Sequence, residues 1–198
     1  YVAVPVAART ALAMTMHDLI FERFPTYMPW RWLRDYYTFL TRRGIRAAKL
    51  VLTVSQATKH DVEAYYPQAT GKVRVTGAAG AASFRPEQDP RVLEAVRARY
   101  GLPERFVLAL GAGRPHKNLS ALVDAFARVD PSIAPALVLA GAHDARFGDE
   151  VRARSTAADL QERVVRPGRI READLPALYS LAELFVFPSL VEGFGIPV

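Results

Sequence analysis

The sequence predicts an α/β protein made of two Rossmann-like parallel-sheet units, and three observations carry that expectation. Short apolar runs alternate with stretches of helical periodicity, the pattern of parallel βαβ repeats. The alternation lapses over Gly77 to Pro90, a stretch of Gly, Ala, Ser, Pro and charges without period, and then resumes. The chain has 198 residues, 51% of them hydrophobic, which is enough apolar surface to bury a core in each unit.

Taken in order, Leu12 to Met16 reads as a strand ending at His17-Asp18. Trp32, Tyr36, Phe39 and Leu40 recur at helical spacing with Arg31, Arg34 and Arg42 opposite, so the aromatics are expected in the core. Leu50 to Val54 is a buried strand, and Ser55 caps a helix running to Tyr66. Val73 to Thr76 is a third strand. After the aperiodic stretch a charged helix spans about Arg91 to Tyr100, and Phe106 to Leu110 opens the second series. A glycine-bearing loop, Gly111 to Lys117, leads to Asn118, expected to cap a helix with Leu119, Leu122, Val123 and Phe126 inward. Ala136 to Ala140 is the next strand. Asp174 to Ala182 is a helix with Pro176 in its first turn, where the missing N–H costs nothing. Leu184 to Phe187 is a strand running into a loop that ends at Gly195. The expected divisions are a first unit over 1–85, a linker and connecting helix over 86–104, and a second unit over 105–198. Both series look incomplete: the sequence starts at Tyr1 without a methionine and stops at Val198, where a helix should follow. It is therefore expected to be a piece of a longer protein.

Composition removes several classes. Disorder, collagen and disulfide scaffolds do not fit these proportions. No apolar run approaches the roughly 18 residues of a membrane span. The apolar start from Tyr1 to Met16 is broken by Pro5 and Arg9 and lacks a basic leader, so no signal peptide is expected. The absence of cysteine excludes zinc–cysteine sites and cysteine nucleophiles, and fits a reducing compartment. The net charge of +6 is lopsided: residues 1–100 hold 15 bases against 8 acids, and residues 101–198 hold 11 against 12. A basic half suits an anionic partner, whether nucleic acid, phospholipid or phosphorylated substrate; a solvated basic helix is the plainer reading. Of the 26 bases only 4 are lysines, which makes each lysine more noticeable.

In open parallel sheets ligands bind beyond the carboxyl ends of the strands. Three loops qualify: His17-Asp18, Gly111 to Lys117, and Ser189 to Gly195. Gly111 and Gly113 suggest a dinucleotide fingerprint, but His116 stands where a third glycine is needed. Ala140-Gly141 stands where an acid should end the next strand. Arg114 and Lys117, three apart before a helix N-terminus, either converge on an anion or are two solvated bases. Gly193 and Gly195 permit close backbone approach to a ligand. Glu192 beside them is either an acceptor for sugar hydroxyls or a surface acid in a turn. His17 is either a site residue or a half-buried histidine satisfied by backbone, and Asp18 is a candidate cap for the next segment.

These stretches together resemble the retaining glycosyltransferases of family 4, with the GT-B architecture of two Rossmann-like domains facing a cleft. The similar segments are the His17-Asp18 strand end, the Val51 to Ser55 strand and cap, and Tyr100-Gly-Leu. They continue through Leu108 to Leu119 with its Gly-Arg-Pro-His-Lys-Asn run, Leu175 to Ser180, and Phe185 to Val198 with Glu-Gly-Phe-Gly. The resemblance implies that Arg114 and Lys117 grip the donor diphosphate, with Gly113 in support. It implies that Glu192 holds donor-sugar hydroxyls and that His17 approaches the sugar near the reacting carbon. The Gly193-Phe194-Gly195 backbone then lies against sugar and phosphate, with Asp18 and Ser189 as supporting residues. A second glutamate of the family motif is expected at position 200, past Val198, and the family's Asn-Gly after the Val73 strand is replaced by Gly77-Ala-Ala-Gly80. The implied reaction moves a sugar from a GDP-mannose-like or UDP-sugar donor to a glycan or lipid-linked acceptor of cell-surface polysaccharide or glycolipid type. Configuration is retained by front-face attack, with no metal or other cofactor. The expected location is cytoplasmic; the basic aromatic helix over Trp30 to Lys49 either makes peripheral contact with anionic membrane at the inner face or has Trp32, Tyr36 and Phe39 in the core and its arginines solvated. A same-fold sugar-nucleotide epimerase, a non-catalytic sugar-nucleotide binder and a nucleic-acid-binding protein are the alternatives. The last is disfavoured because the aromatics sit at core spacing and the charge stops at mid-chain.

Overall fold

A computed structural model describes residues 10–111, 113–142, 144–147, 150–156 and 160–197. The apolar start over 1–9 and the chain end at Val198 lie outside the described residues, as does Ala112 of the glycine-bearing loop. The chain divides into two compact units, Tyr1–Ala79 with Val191–Ile196, and Gly80–Leu190 with Pro197–Val198.

The N-terminal unit is a parallel sheet in the order β1 (Leu12–Met16), β2 (Ala48–Thr53), β3 (Val73–Val75). The crossovers are α2 (Arg31–Ala47), preceded by a short α1 (Ile20–Arg23), and α3 (Gln56–Tyr65). Its core gathers Met14, Met16, Leu19, Ile45, Val51, Val62, Tyr66 and Val73. Ser55 caps α3 as expected, its Oγ accepting the Thr58 N–H at 3.0 Å. At the other end of the preceding crossover Lys72 does an equivalent job. Its ammonium donates to the carbonyls of Ile45 and of Ala48 (3.0 Å), where α2 ends and exposes its negative pole.

One expectation fails here. Trp32, Tyr36 and Phe39 are not core; each is more than half exposed. The helix buries Thr41, Gly44 and Ile45 instead, on the side that packs against β1 and β2, and Tyr37 makes an edge contact with Phe21. A helical period identifies a stripe but not which side of the helix faces the sheet, and α2 carries apolar residues on both sides.

In the C-terminal unit α4 (Pro90–Tyr100) begins with Asp89 accepting the Arg91 N–H and ends on Gly101 in the left-handed conformation. The sheet is parallel, in the order β6 (Val164–Gly168), β5 (Leu137–Ala140), β4 (Val107–Leu110), β7 (Leu184–Phe185). Alternate residues of the central strand serve opposite faces. Ala136, Val138 and Ala140 pack with Phe106, Leu108 and Leu178 of α7 (Leu175–Leu181). Leu137 and Leu139 pack with Leu119, Val123 and Phe126 of α5 (Leu119–Phe126). Among the described residues three labelled elements escape the sequence reading, the single-turn α1 and two in this unit. The edge strand β6 contains Pro167, which only an edge tolerates, and α6 (Glu150–Ser155) is too polar to show an apolar period.

Candidate functional site

In the N-terminal unit three of the predicted residues come together around one backbone crossing. Gly193 passes so close to the end of β1 that a Cβ there would overlap the His17 carbonyl oxygen and stand 3.3 Å from the Asp18 Cβ. No residue but glycine fits that approach. The Gly193 carbonyl accepts from both hydroxyls of the α3 cap, Ser55 Oγ at 2.5 Å and Thr58 Oγ1 at 2.9 Å. Thr58 Oγ1 also lies 3.5 Å from the His17 carbonyl; having one proton, it serves Gly193 at the shorter distance. Asp18 accepts the Ile20 N–H at 3.1 Å and so caps the following turn, the local role foreseen for it.

His17 itself is exposed, so the alternative of a half-buried, backbone-satisfied histidine does not hold. Glu192 is half-buried, Phe194 is about half exposed, and Gly195 adopts φ 96°, a conformation that favours glycine. Ser55 and Thr58 are the contributors that sequence reasoning missed in this role. The cap at Ser55 was visible, but nothing local marked these hydroxyls as anchors for a segment about 135 residues away.

The C-terminal unit holds the cations. The chain leaves β4 through Gly111, makes a short 3-10 turn over Pro115–Lys117, and enters α5. Lys117 lies with its ammonium 5.7 Å from the Phe187 ring centroid, and its Cγ is 3.4 Å from where a Gly111 Cβ would be. Arg114 Nε donates to Asp144 Oδ2 at 3.3 Å; the reading of two merely solvated bases therefore does not describe this loop. Asp144 is gripped from the other side by Arg146 at 2.7 and 2.9 Å, and these guanidinium contacts, Arg146 first and Arg114 after it, hold its carboxyl well below the usual range.

Asn118 departs from expectation. It stands at φ 54° and makes no side-chain capping bond to α5; its side-chain N–H donates instead to the Pro188 carbonyl at 3.3 Å. The Leu190 N–H donates to the carbonyl of the buried His116 at 2.8 Å. Ser189 is thus fastened between two tethers to the lysine-bearing turn. The side chain at 116, where a dinucleotide fingerprint needs glycine, is buried.

A cavity of about 830 Å³ reaches from Gly111, Gly113, Arg114, Gly141 and Gly168 at the carboxyl ends of β4, β5 and β6 down between α5 and α6 to Gln161 and Val164 at the start of β6. That volume is of the size that takes a cofactor or nucleotide. A Cβ added at Gly113 would meet nothing within 4 Å among the described residues, and Gly141 and Gly168 both have positive φ. Among the described residues no helix is long and apolar enough to cross a membrane.

A model of the family described as glycosyl transferases group 1 matches residues 94–198, from within α4 through the whole of this loop system. The chain belongs to that family. The O-antigen chain mannosyltransferase B of Escherichia coli is 28% identical over 192 residues, covering 93% of this chain and 48% of that protein. The mannosyltransferase WbdA, also of Escherichia coli, is 27% identical over 154 residues, covering 76% of this chain and 19% of that one. Among solved structures, Anabaena HepE in complex with UDP and glucose superposes with a TM-score of 0.70 at 23% identity, over 94% of this chain and 49% of HepE. Sucrose-phosphate synthase of Thermosynechococcus elongatus gives 0.69 at 23%, over 93% and 46%. The fold is that of the GT-B glycosyltransferases, and the chain spans half or less of the length of each of these proteins.

Proposed function

We propose that this chain contributes to a glycosyltransferase that moves a sugar from a nucleoside diphosphate sugar to a glycan or lipid-linked acceptor of cell-surface polysaccharide or glycolipid type, retaining the anomeric configuration. Membership of the group 1 family supports the reaction class, relatives named as O-antigen mannosyltransferases support a GDP-mannose-like donor and a glycan acceptor, and the UDP complex of HepE supports a UDP-sugar as the other donor. The observation that carries the reading is the pair Arg114 and Lys117 on the turn between β4 and α5, beside a cavity at the carboxyl ends of the strands.

The leaving nucleoside diphosphate gains negative charge as the glycosidic bond breaks. The Lys117 ammonium and the Arg114 guanidinium stabilise that charge, with the first N–H groups of α5 adding a fixed dipole. With two cations so placed the reaction as proposed requires no metal ion or other cofactor. Glu192, an acceptor-only carboxylate, orients donor-sugar hydroxyls and is not a nucleophile. The backbone of Gly193, Phe194 and Gly195 lies along sugar and phosphate, and His17 stands near the reacting carbon. Gly113, Asp18 and Ser189 support these positions. The protein works in the cytoplasm, peripheral to the inner face of the membrane.

Calorimetric titration with UDP, GDP and their sugar conjugates tests the donor assignment. One of them binds, and Lys117→Ala weakens it by roughly 10- to 100-fold, as loss of a charge-assisted phosphate contact requires. Unchanged affinity refutes the phosphate role. Turnover of the free donor without an acceptor would assign the epimerase reading instead, and donor bound without turnover in the full-length enzyme would assign the non-catalytic binder.

A further inference from the structure

The turn that presents Lys117 leaves its 3-10 conformation through a strained residue. Pro115–Lys117 form that turn, and one residue, Asn118, separates it from the start of α5 at Leu119. Asn118 makes the change of direction at φ 54° and ψ 31°, and among the described residues no other non-glycine residue has a positive φ. Glycine takes this left-handed conformation without steric cost, so the chain accepts strain here that the simplest residue would avoid.

What glycine lacks is an amide. The Asn118 side-chain N–H donates to the Pro188 carbonyl at 3.3 Å, and two residues earlier the His116 carbonyl accepts the Leu190 N–H at 2.8 Å. Lys117 lies between these two tethers, and both run to the segment that follows Phe187. The Lys117 ammonium stands 5.7 Å from the Phe187 ring centroid, so the register of the turn against 187–190 decides where this cation sits. A side chain at 118 must therefore tolerate a left-handed backbone and also donate a hydrogen bond. Asparagine combines the two. Aspartate shares the backbone tolerance but, when ionised, only accepts, and alanine has neither property.

We propose that Asn118 is a positioning residue for the Lys117 ammonium. Its left-handed backbone aims the turn and its amide locks the turn to the Pro188 carbonyl, so the cation is set in place before a diphosphate arrives. A charge aimed in advance needs no reorganisation when the ligand binds or reacts. The proposal rests on the reading of Lys117 as the diphosphate contact, and it adds the residue that keeps this contact in register. Asn118 acts through Lys117 and not on the nucleotide itself, a distinction that a double-mutant cycle detects.

Calorimetric titration of the full-length enzyme with UDP and with GDP, each alone, provides the test. Asn118→Gly keeps the left-handed turn and removes only the amide; it lowers affinity for the nucleotide that binds by roughly 5- to 10-fold. The melting temperature moves by no more than about 3 °C, since relief of strain offsets the lost hydrogen bond. Asn118→Ala, which also resists the backbone conformation, loses more on both counts. In a Lys117→Ala background Asn118→Gly alters affinity by less than about 2-fold, because the group it positions is gone. Unchanged affinity in Asn118→Gly beside a weakened Lys117→Ala overturns this proposal, whatever the melting temperature does, and leaves the diphosphate reading standing. An equal loss from Asn118→Gly with and without Lys117 also overturns it, and assigns Asn118 a nucleotide contact of its own. Unchanged affinity in Lys117→Ala overturns both.

Discussion

The N-terminal unit positions its loop residues by contact, the C-terminal unit by charge. Around Gly193 the backbone is pressed against the end of β1 and fixed by two hydroxyls. Around Arg114 and Lys117 the residues are held by an aspartate, an aromatic ring and a side-chain amide, while Gly113 has open space around it among the described residues. Steric fit has a wall at van der Waals distance, and a single methyl group crosses it. Coulomb attraction falls off gently, so the cationic turn accommodates added bulk but answers to salt and protonation.

The largest expected effect follows from that contrast. Gly193→Ala drives a methyl into the His17 carbonyl, and because the obstacle is backbone, the 191–196 segment must move. A loss of about 3 kcal/mol in urea denaturation follows, and at least roughly 100-fold in turnover of the full-length enzyme, since displacements near 1 Å cost that much. Wild-type stability and turnover in this variant would mean that contact does not position the loop.

An intermediate effect separates the units by pH. Glu22 is partly buried in the N-terminal unit with Oε1 accepting the Tyr66 hydroxyl at 2.5 Å and Oε2 without a partner among the described residues, and burial raises its pKa above 4.5. For an acid raised on folding the stabilising contribution is full below 4.5 and is lost as pH rises through the folded value. In the C-terminal unit Asp174 takes Arg171 at 2.8 Å, the Tyr100 hydroxyl at 2.6 Å and Arg99 at 3.0 Å. The Arg171 contact foremost lowers its pKa. Its contribution is full above 3.8 and is lost as pH falls below that. Thermal melts across pH should therefore show Glu22→Gln gaining stability relative to the parent at about pH 7 but not at about pH 4, and Asp174→Asn losing it in full at about pH 7, with the deficit beginning to shrink only as pH falls below 3.8 toward the depressed folded value. The same pH trend in both variants would erase the distinction.

The smallest effect is the counterpart of the first. Gly113→Ala places a methyl in open space at an ordinary φ, so stability changes by no more than about 0.5 kcal/mol and donor affinity by a few-fold at most. A large loss there would show that the cationic turn is as sterically confined as the Gly193 crossing.

Local patterns made the strand–helix alternation, the Ser55 cap, Pro176 in the first turn of α7 and the inward face of α5 readable, because each depends on neighbours within four residues. The cationic turn was equally visible, since Arg114 and Lys117 are three residues apart. Asn118 misled for the opposite reason: its residue type suits a cap, but a carbonyl 70 residues away took its amide. Asp144 carried no signal at all, being one acid among many until folding set it between two guanidiniums.

By itself the sequence determined the fold class, the parallel order of elements and which loops leave the carboxyl ends of strands, since periodicity and capping are short-range physics. Tertiary structure alone decided which stripe of α2 turns to water and which glycine has no room for a methyl. It also decided which aspartate meets Arg114. Each of those depends on what a distant segment presents at a few ångströms, and no spacing along the chain encodes that distance.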